Sequence, residues 1–153
     1  MVAWSLPLIS EMSDGKAPFD LRPGGYSFDE AQAFLANITD AGRDFYLNTQ
    51  QLLDFFYPTL FSITVAIALV RLVRGYLGWV LASFAIAGVV LDHLENNAVA
   101  AMLQIEAEQL TEPMVSIAST WTLVKSLTVT ISLLALLAAL CIKGISWIKK
   151  RDA

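Results

Sequence analysis

A chain of 153 residues, 56% of them hydrophobic and 16% charged, with a mean hydropathy of +0.59, falls outside the range of an ordinary soluble domain and in the membrane class. The length fits one domain over residues 1–153, and a formal charge of −4 without a basic patch argues against nucleic acid as a partner. The single Cys141 excludes an intrachain disulfide and offers no thiolate metal site.

The opening MVAWSLPLIS is apolar but short. It lacks a basic leader and a small-residue cleavage pattern, so it reads as an interfacial anchor with Trp4 at headgroup level and not as a signal peptide. Pro7, Pro18, Pro23 and the Gly24–Gly25 pair predict an irregular segment over 1–26, mostly without helix. A helix is then expected over 27–39. In SFDE, Ser27 can accept from the Glu30 backbone N–H while Glu30 reaches back to Ser27. Phe28, Ala31, Leu35 and Ile38 share one face of it, giving a short amphipathic helix that lies on the outer surface or lids the bundle.

Asp40 is the expected cap of the next helix, which should run unbroken into the first span. A bilayer core of about 30 Å needs about 20 mostly apolar helical residues. Three stretches reach that length, at about 52–73, 76–103 and 114–142. In the first, Arg43, Tyr46, Gln50, Asp54 and Tyr57 follow steps that stay on one helical face, so a polar stripe descends into the membrane. Pro58 cannot donate to the carbonyl of Asp54, which predicts a kink and a free backbone acceptor beside that acid. In the second, Ala85 and Gly88 lie on the side of Asp92, followed by Glu95 and Asn96, so small residues permit close helix approach near a polar group. In the third, Trp121, Lys125, Thr128 and Ser132 repeat at helical spacing.

Orientation follows Lys and Arg near the spans. Arg71 and Arg74 mark the first turn, and Lys143, Lys149, Lys150 and Arg151 mark the tail, whereas the loop after the second span has glutamates and no base. The basic turn and C-terminus are therefore expected in the cytoplasm and the acidic N-terminal region outside. Counting from these anchors gives a common depth. Asp54 precedes Arg71 by 17 residues, Asp92 follows Arg74 by 18, and Lys125 precedes Lys143 by 18. At 1.5 Å per residue all three sit roughly 26 Å above the anchors.

An ionised side chain at a helix centre costs about 2.5 to 3.5 kcal/mol, so these groups should face one another and not lipid. Lys125 can neutralise Asp92 or Asp54, but the acids outnumber it. Crowded carboxylates in a low-dielectric layer are expected to hold a proton near neutral pH, which is what general acid and base chemistry requires. Asp92 and Glu95 are the acid and base candidates, with Asp54 and Lys125 tuning them. Tyr46, Gln50, Tyr57, Asn96 and Trp121 are the candidate substrate-binding residues. A metal held by Asp92, His93 and Glu95 is disfavoured because the adjacent histidine is rotated off the acidic face. No cofactor is expected.

The run DLRPGGYS, then GRDFYL, then Asp54, then LDHLENN resembles a group of small, uncharacterised multi-pass integral membrane proteins. That resemblance implies the architecture and no activity. Acidic pairs on membrane helices are also similar to those of integral membrane terpene cyclases, which protonate lipophilic substrates; the likeness is one of mechanism alone.

The expected fold is thus all-α, an integral membrane helical bundle of three transmembrane helices plus the short N-terminal amphipathic helix. The expected function is acid/base chemistry on a lipophilic small molecule reached from the membrane lipid: cyclisation, isomerisation or epoxide opening. The alternative is a non-catalytic subunit or a homo-oligomer, in which the charges only hold helices together through interhelical bonds of about 0.6 kcal/mol, at most about 2. An apolar cavity reaching the acids distinguishes the two.

Overall fold

The computed structural model describes residues 3–151, and among them every regular element is helical. Three helices are long and apolar enough to cross a membrane. We label the elements α1 (Ser5–Glu11), α2 (Phe28–Asn37), α3 (Asp40–Leu72), α4 (Tyr76–Leu103) and α5 (Glu112–Arg151). Short 3-10 turns lie at Phe19–Leu21 and Ala107–Gln109. At 33, 28 and 40 residues, α3, α4 and α5 measure about 50, 42 and 60 Å, more than a hydrocarbon core of about 30 Å. At one end the tops of the three helices carry a cap built from residues 3–39. At the other, residues 141–150 of α5 are all exposed.

Small residues set how closely the long helices approach. Val65, Ala66 and Leu69 of α3 pack against Ala82 and Ala85 of α4 in the half near the basic turn. Higher up, a Cβ on Gly88 would stand 3.2 Å from Val129 Cγ2, so this glycine lets α4 and α5 close to near contact. Small side chains there bring the polar groups one turn above within reach of each other.

The cap has its own apolar core. Ile9, Phe19, Phe34 and Leu35 from the N-terminal segment pack with Tyr46, Met102 and Leu103 from the tops of α3 and α4. Most of the segment is irregular, as expected, with one helical exception. Ser5–Glu11 is helical, because Pro7 occupies the first turn, where its missing N–H leaves no bond unmade. Ser5, Leu6 and Ile9 are buried. Trp4 is 58% exposed and meets Phe45 edge-on at 6.0 Å, so the segment it opens packs on the protein itself.

Helix α2 begins as its sequence suggested, with Ser27 and Glu30 capping each other reciprocally. The Ser27 backbone N–H and hydroxyl, bonded to the Glu30 carboxylate, hold its pKa below the usual value. For α3 the cap is Thr39 and not Asp40: the Thr39 hydroxyl accepts from the Gly42 N–H at 3.1 Å. A hydroxyl one residue earlier already meets the orphan donor, and Asp40 becomes the first helical residue. Arg43 ties cap to bundle, donating to the carbonyls of Leu103 and Ile105 at 2.7 Å and of Leu35 at 3.3 Å. It thereby satisfies helix-end acceptors of α4.

Helix α3 runs without a break through Pro58. Its irregularity lies about two to three turns earlier, where Tyr46–Gln50 forms a π segment. Such a wide turn accommodates one extra residue and is common at functional sites.

The loop that carries Tyr26 is clamped onto α5. Gly25 has φ +83°, a Cβ there would lie 2.6 Å from Ser119 Oγ, and the Tyr26 N–H donates to that same oxygen at 2.8 Å. Gly25→Ala combines left-handed strain with this clash, so it should destabilise the protein by about 1 to 3 kcal/mol. Gly24→Ala meets nothing within 4 Å and should stay within about 0.5 kcal/mol. Equal melting temperatures of the two variants in detergent would refute the clamp.

Candidate functional site

Where the cap meets the three long helices, the structure buries a polar layer. Asp54 and Asp92 are 5% exposed, Glu95 is 1% exposed and Gln50 is fully buried. Lys125 of α5 reaches across to α4, donating to Asp92 Oδ1 at 3.1 Å and pairing with Glu95 Oε2. Asp92 and Glu95 are one turn apart on α4, so their carboxylates converge on the ammonium from one helix face. The Thr122 hydroxyl, one turn before Lys125, bonds Glu95 Oε1. Asn96 Nδ2 donates to Asp92 Oδ2 at 3.3 Å.

Asp54 is held differently. Its two oxygens accept from Gln50 Nε2 at 3.1 and 3.0 Å. Among the described residues its carboxylate makes no salt bridge. Tyr46, Gln50 and Asp54 succeed each other at four-residue steps through the π segment and into the regular helix, and all three are buried.

The cap contributes a fourth acid. Tyr46 donates its phenolic hydroxyl to Asp20 Oδ2 at 2.5 Å, which brings a carboxylate of the cap to the top of the Tyr46, Gln50 and Asp54 row. Tyr26 closes the layer on the α5 side. It is 8% exposed, and burial, reinforced by the nearby Glu95, pushes its phenol well above the usual range, so it stays neutral.

Several sequence expectations land elsewhere. Arg43 bonds backbone carbonyls and does not join the acids. Tyr57 is 60% exposed and stacks on Phe61 on the outside of α3, because the one-face stripe ends at Asp54. On α5 the buried face runs through Val115, Ala118 and Thr122, leaving Trp121 half-buried beside it. His93 lies against the Phe55 ring, with centroids 5.0 Å apart. Gln51 donates to the Asn96 carbonyl at 2.9 Å, tying α3 to α4 at the level of the acids.

Asp20, Tyr26 and Thr122 belong to the layer and lie outside the set that the sequence suggests. For Thr122 a signal was available: it is three residues before Lys125, on the same face. Asp20 and Tyr26 come from a proline- and glycine-rich segment without periodicity, so only the folded cap reveals where they go.

Among the described residues, cavities lie above and below this layer. One of about 560 Å³ opens at the cap, between Tyr26 and Phe28 on one side and Glu112, Ser116 and Ser119 on the other. A second, of about 600 Å³, is an apolar groove between α3 and α4 near the basic turn. The third, about 10 Å³, lies between Ser62, Ala85 and Ser132 below the acids. None of the three is lined by Asp54, Asp92, Glu95 or Lys125.

Comparison of the chain with protein-family models, with curated proteins and with solved structures finds no match. The reading of this layer therefore rests on its own chemistry.

Two carboxylates share one ammonium in a setting where a buried pair losing its partner costs about 3 to 5 kcal/mol. Lys125→Met should lower stability by about that amount, and Thr122→Val, which leaves Glu95 short of a donor, by about 1 to 3 kcal/mol. Thermal unfolding in detergent measures both. A Lys125→Met protein that melts with the wild type would show that the ammonium does not hold the two acids.

Proposed function

We propose that this chain is a membrane-embedded enzyme that uses the buried carboxylates around Lys125 for acid/base chemistry on a lipophilic small molecule. The observation that supports the reading is the surplus of acid. Asp92 and Glu95 share the single ammonium of Lys125, and Asp54 and Asp20 add carboxylates bonded to the neutral Gln50 and Tyr46, whereas joining helices needs no more than neutral hydrogen bonds. Intramembrane charges are costly, and a surplus of one sign is costlier still, so retaining them calls for a use. Asp92 and Glu95, both on Lys125, are the proton donor and acceptor of a cyclisation, isomerisation or epoxide opening. Lys125 compensates whichever acid is ionised. Asp54, fixed by Gln50, and Asp20, fixed by Tyr46, set the field in which that proton moves, and Asn96 orients Asp92.

A second reading rests on the sealing of the same layer. Asp54, Asp92 and Glu95 are buried and none of the described cavities includes them, which suits a non-catalytic subunit or oligomer-forming protein held together by its charges. The two readings part on isosteric variants. An acid catalyst changed by Asp92→Asn or Glu95→Gln keeps its fold and loses activity by about 10²-fold or more. A structural acid leaves Lys125 less well paired and lowers the yield of folded protein. Thermal stability in detergent, set beside turnover of a lipophilic substrate found by metabolite screening, is compared for Asp92→Asn, Glu95→Gln and Asp54→Asn. Should all three melt early while the surviving protein keeps its specific activity, the enzyme reading is wrong.

The orientation belongs to the same proposal. The cap and the 104–111 connection face outward and the basic turn and tail face the cytoplasm, with α2 as an amphipathic lid over the acids. In a Cys141→Ser background, cysteines placed at Ser27 and Gln109 should react with an impermeant thiol reagent on intact cells. Reaction of a cysteine at Ser146 under the same conditions would invert the topology.

A further inference from the structure

The groove between α3 and α4 is separate from the acid layer and has a polarity that the layer does not explain. Ala66 and Ala82, both buried, are its floor. Ile63 and Ile67 of α3 and Ile86 of α4 form its sides, and all three are 43% to 55% exposed. Its rim is chemically distinct: Arg71 and Trp79 line the end next to the turn.

The groove runs from Arg71 to Ile63, eight residues of helix. That is about 12 Å, close to the roughly 15 Å depth of one leaflet's hydrocarbon. A tryptophan and an arginine at the rim match the headgroup level, where an indole ring and a guanidinium are favoured. Small floor residues leave a channel of about 600 Å³, within the range of small-ligand sites. An apolar trough one leaflet deep, with a cation at its mouth, is complementary to an acyl chain attached to an anion.

We infer that this groove is a binding site for an anionic phospholipid of the leaflet facing the basic turn, with its phosphodiester on Arg71 and an acyl chain lying over Ala66 and Ala82 between Ile67 and Ile86. Arg71 donates to the phosphate in the forked geometry that suits a planar guanidinium. Trp79 packs on the glycerol region. Arg74 is exposed in the same turn and does not line the groove, so its charge attracts anionic lipid to the surface without holding one molecule in place. The site stands independently of the acid chemistry proposed above.

The test uses the full chain in detergent, with lipid retention read by native mass spectrometry. The probes are dioleoyl phosphatidylglycerol, dioleoyl phosphatidylcholine with the same chains, and glycerol 3-phosphate without chains. Wild-type protein should retain phosphatidylglycerol about fivefold better than phosphatidylcholine, the factor expected for one basic contact near a membrane surface. Arg71→Gln should abolish that preference and Arg74→Gln should leave it. Ser83→Phe, at an exposed position that lines the groove, should lower retention of both lipids. Equal retention of the two lipids by wild type overturns the inference, as does an Arg74→Gln loss equal to that of Arg71→Gln, which would mean diffuse surface charge. Competition by glycerol 3-phosphate as effective as by the lipid would mean an anion contact without a chain site. Loss of a dimer in Ser83→Phe with no change in lipid retention would assign the groove to a second copy of the chain.

Discussion

Lys125 carries its ammonium across the space between α5 and α4 to two carboxylates one turn apart, and the rest of the bundle is arranged so that this contact can be made in a medium without water. An ammonium left alone at such a depth would be costly, and so would either acid. Together they are tolerable only if the helices come close enough for direct contact and if the remaining oxygens find donors. Gly88 and Ala85 supply the approach, and Thr122 and Asn96 supply donors. The packing of small residues and the placement of polar ones are thus two parts of one requirement.

That requirement also accounts for the cap. A buried polar layer near the end of a bundle would be reached by water unless something covers it, and water would weaken every interaction in it. Phe19, Phe34 and Leu35 form an apolar plug above the acids, and the same segment brings Asp20 down to Tyr46. The covering element is therefore a contributor of charge as well as a barrier. Arg43, which binds three backbone carbonyls from two helices and the following connection, fixes how that plug sits on the tops of α3 and α4.

The three long helices were legible because apolar length is a signal that no tertiary contact needs to confirm. That Asp92 and Lys125 meet at one level was legible because helical rise is constant, so equal counts from two basic anchors bring two side chains to the same height. The N-terminal segment was legible only in part. Its prolines and glycines predict a mostly irregular stretch, which it is, but not that Pro7 sits where a helix tolerates it or that Gly25 sits where only glycine fits against Ser119. The stripe on α3 was legible from Tyr46 to Asp54 and failed at Tyr57, since one-face counting cannot tell where burial stops. Asp20 and Tyr26 stayed hidden for a related reason: they reach the site through the tertiary fold of the cap, to which periodicity is blind.

The π segment at Tyr46–Gln50 acts as a joint of angular register. Each residue added to a helix turns everything beyond it by about 100°, so one surplus residue in a wide turn sets the upper face of α3 independently of the lower. Above it, Arg43 is aimed at the ends of α2 and α4; below it, Asp54 is aimed into the acid layer. Were the surplus removed and the turn tightened to an ordinary α-helix, both could not keep their aim, and cap and membrane bundle would be out of phase by more than a quarter turn. The extra residue is what allows one continuous helix to serve two packing problems that face different ways.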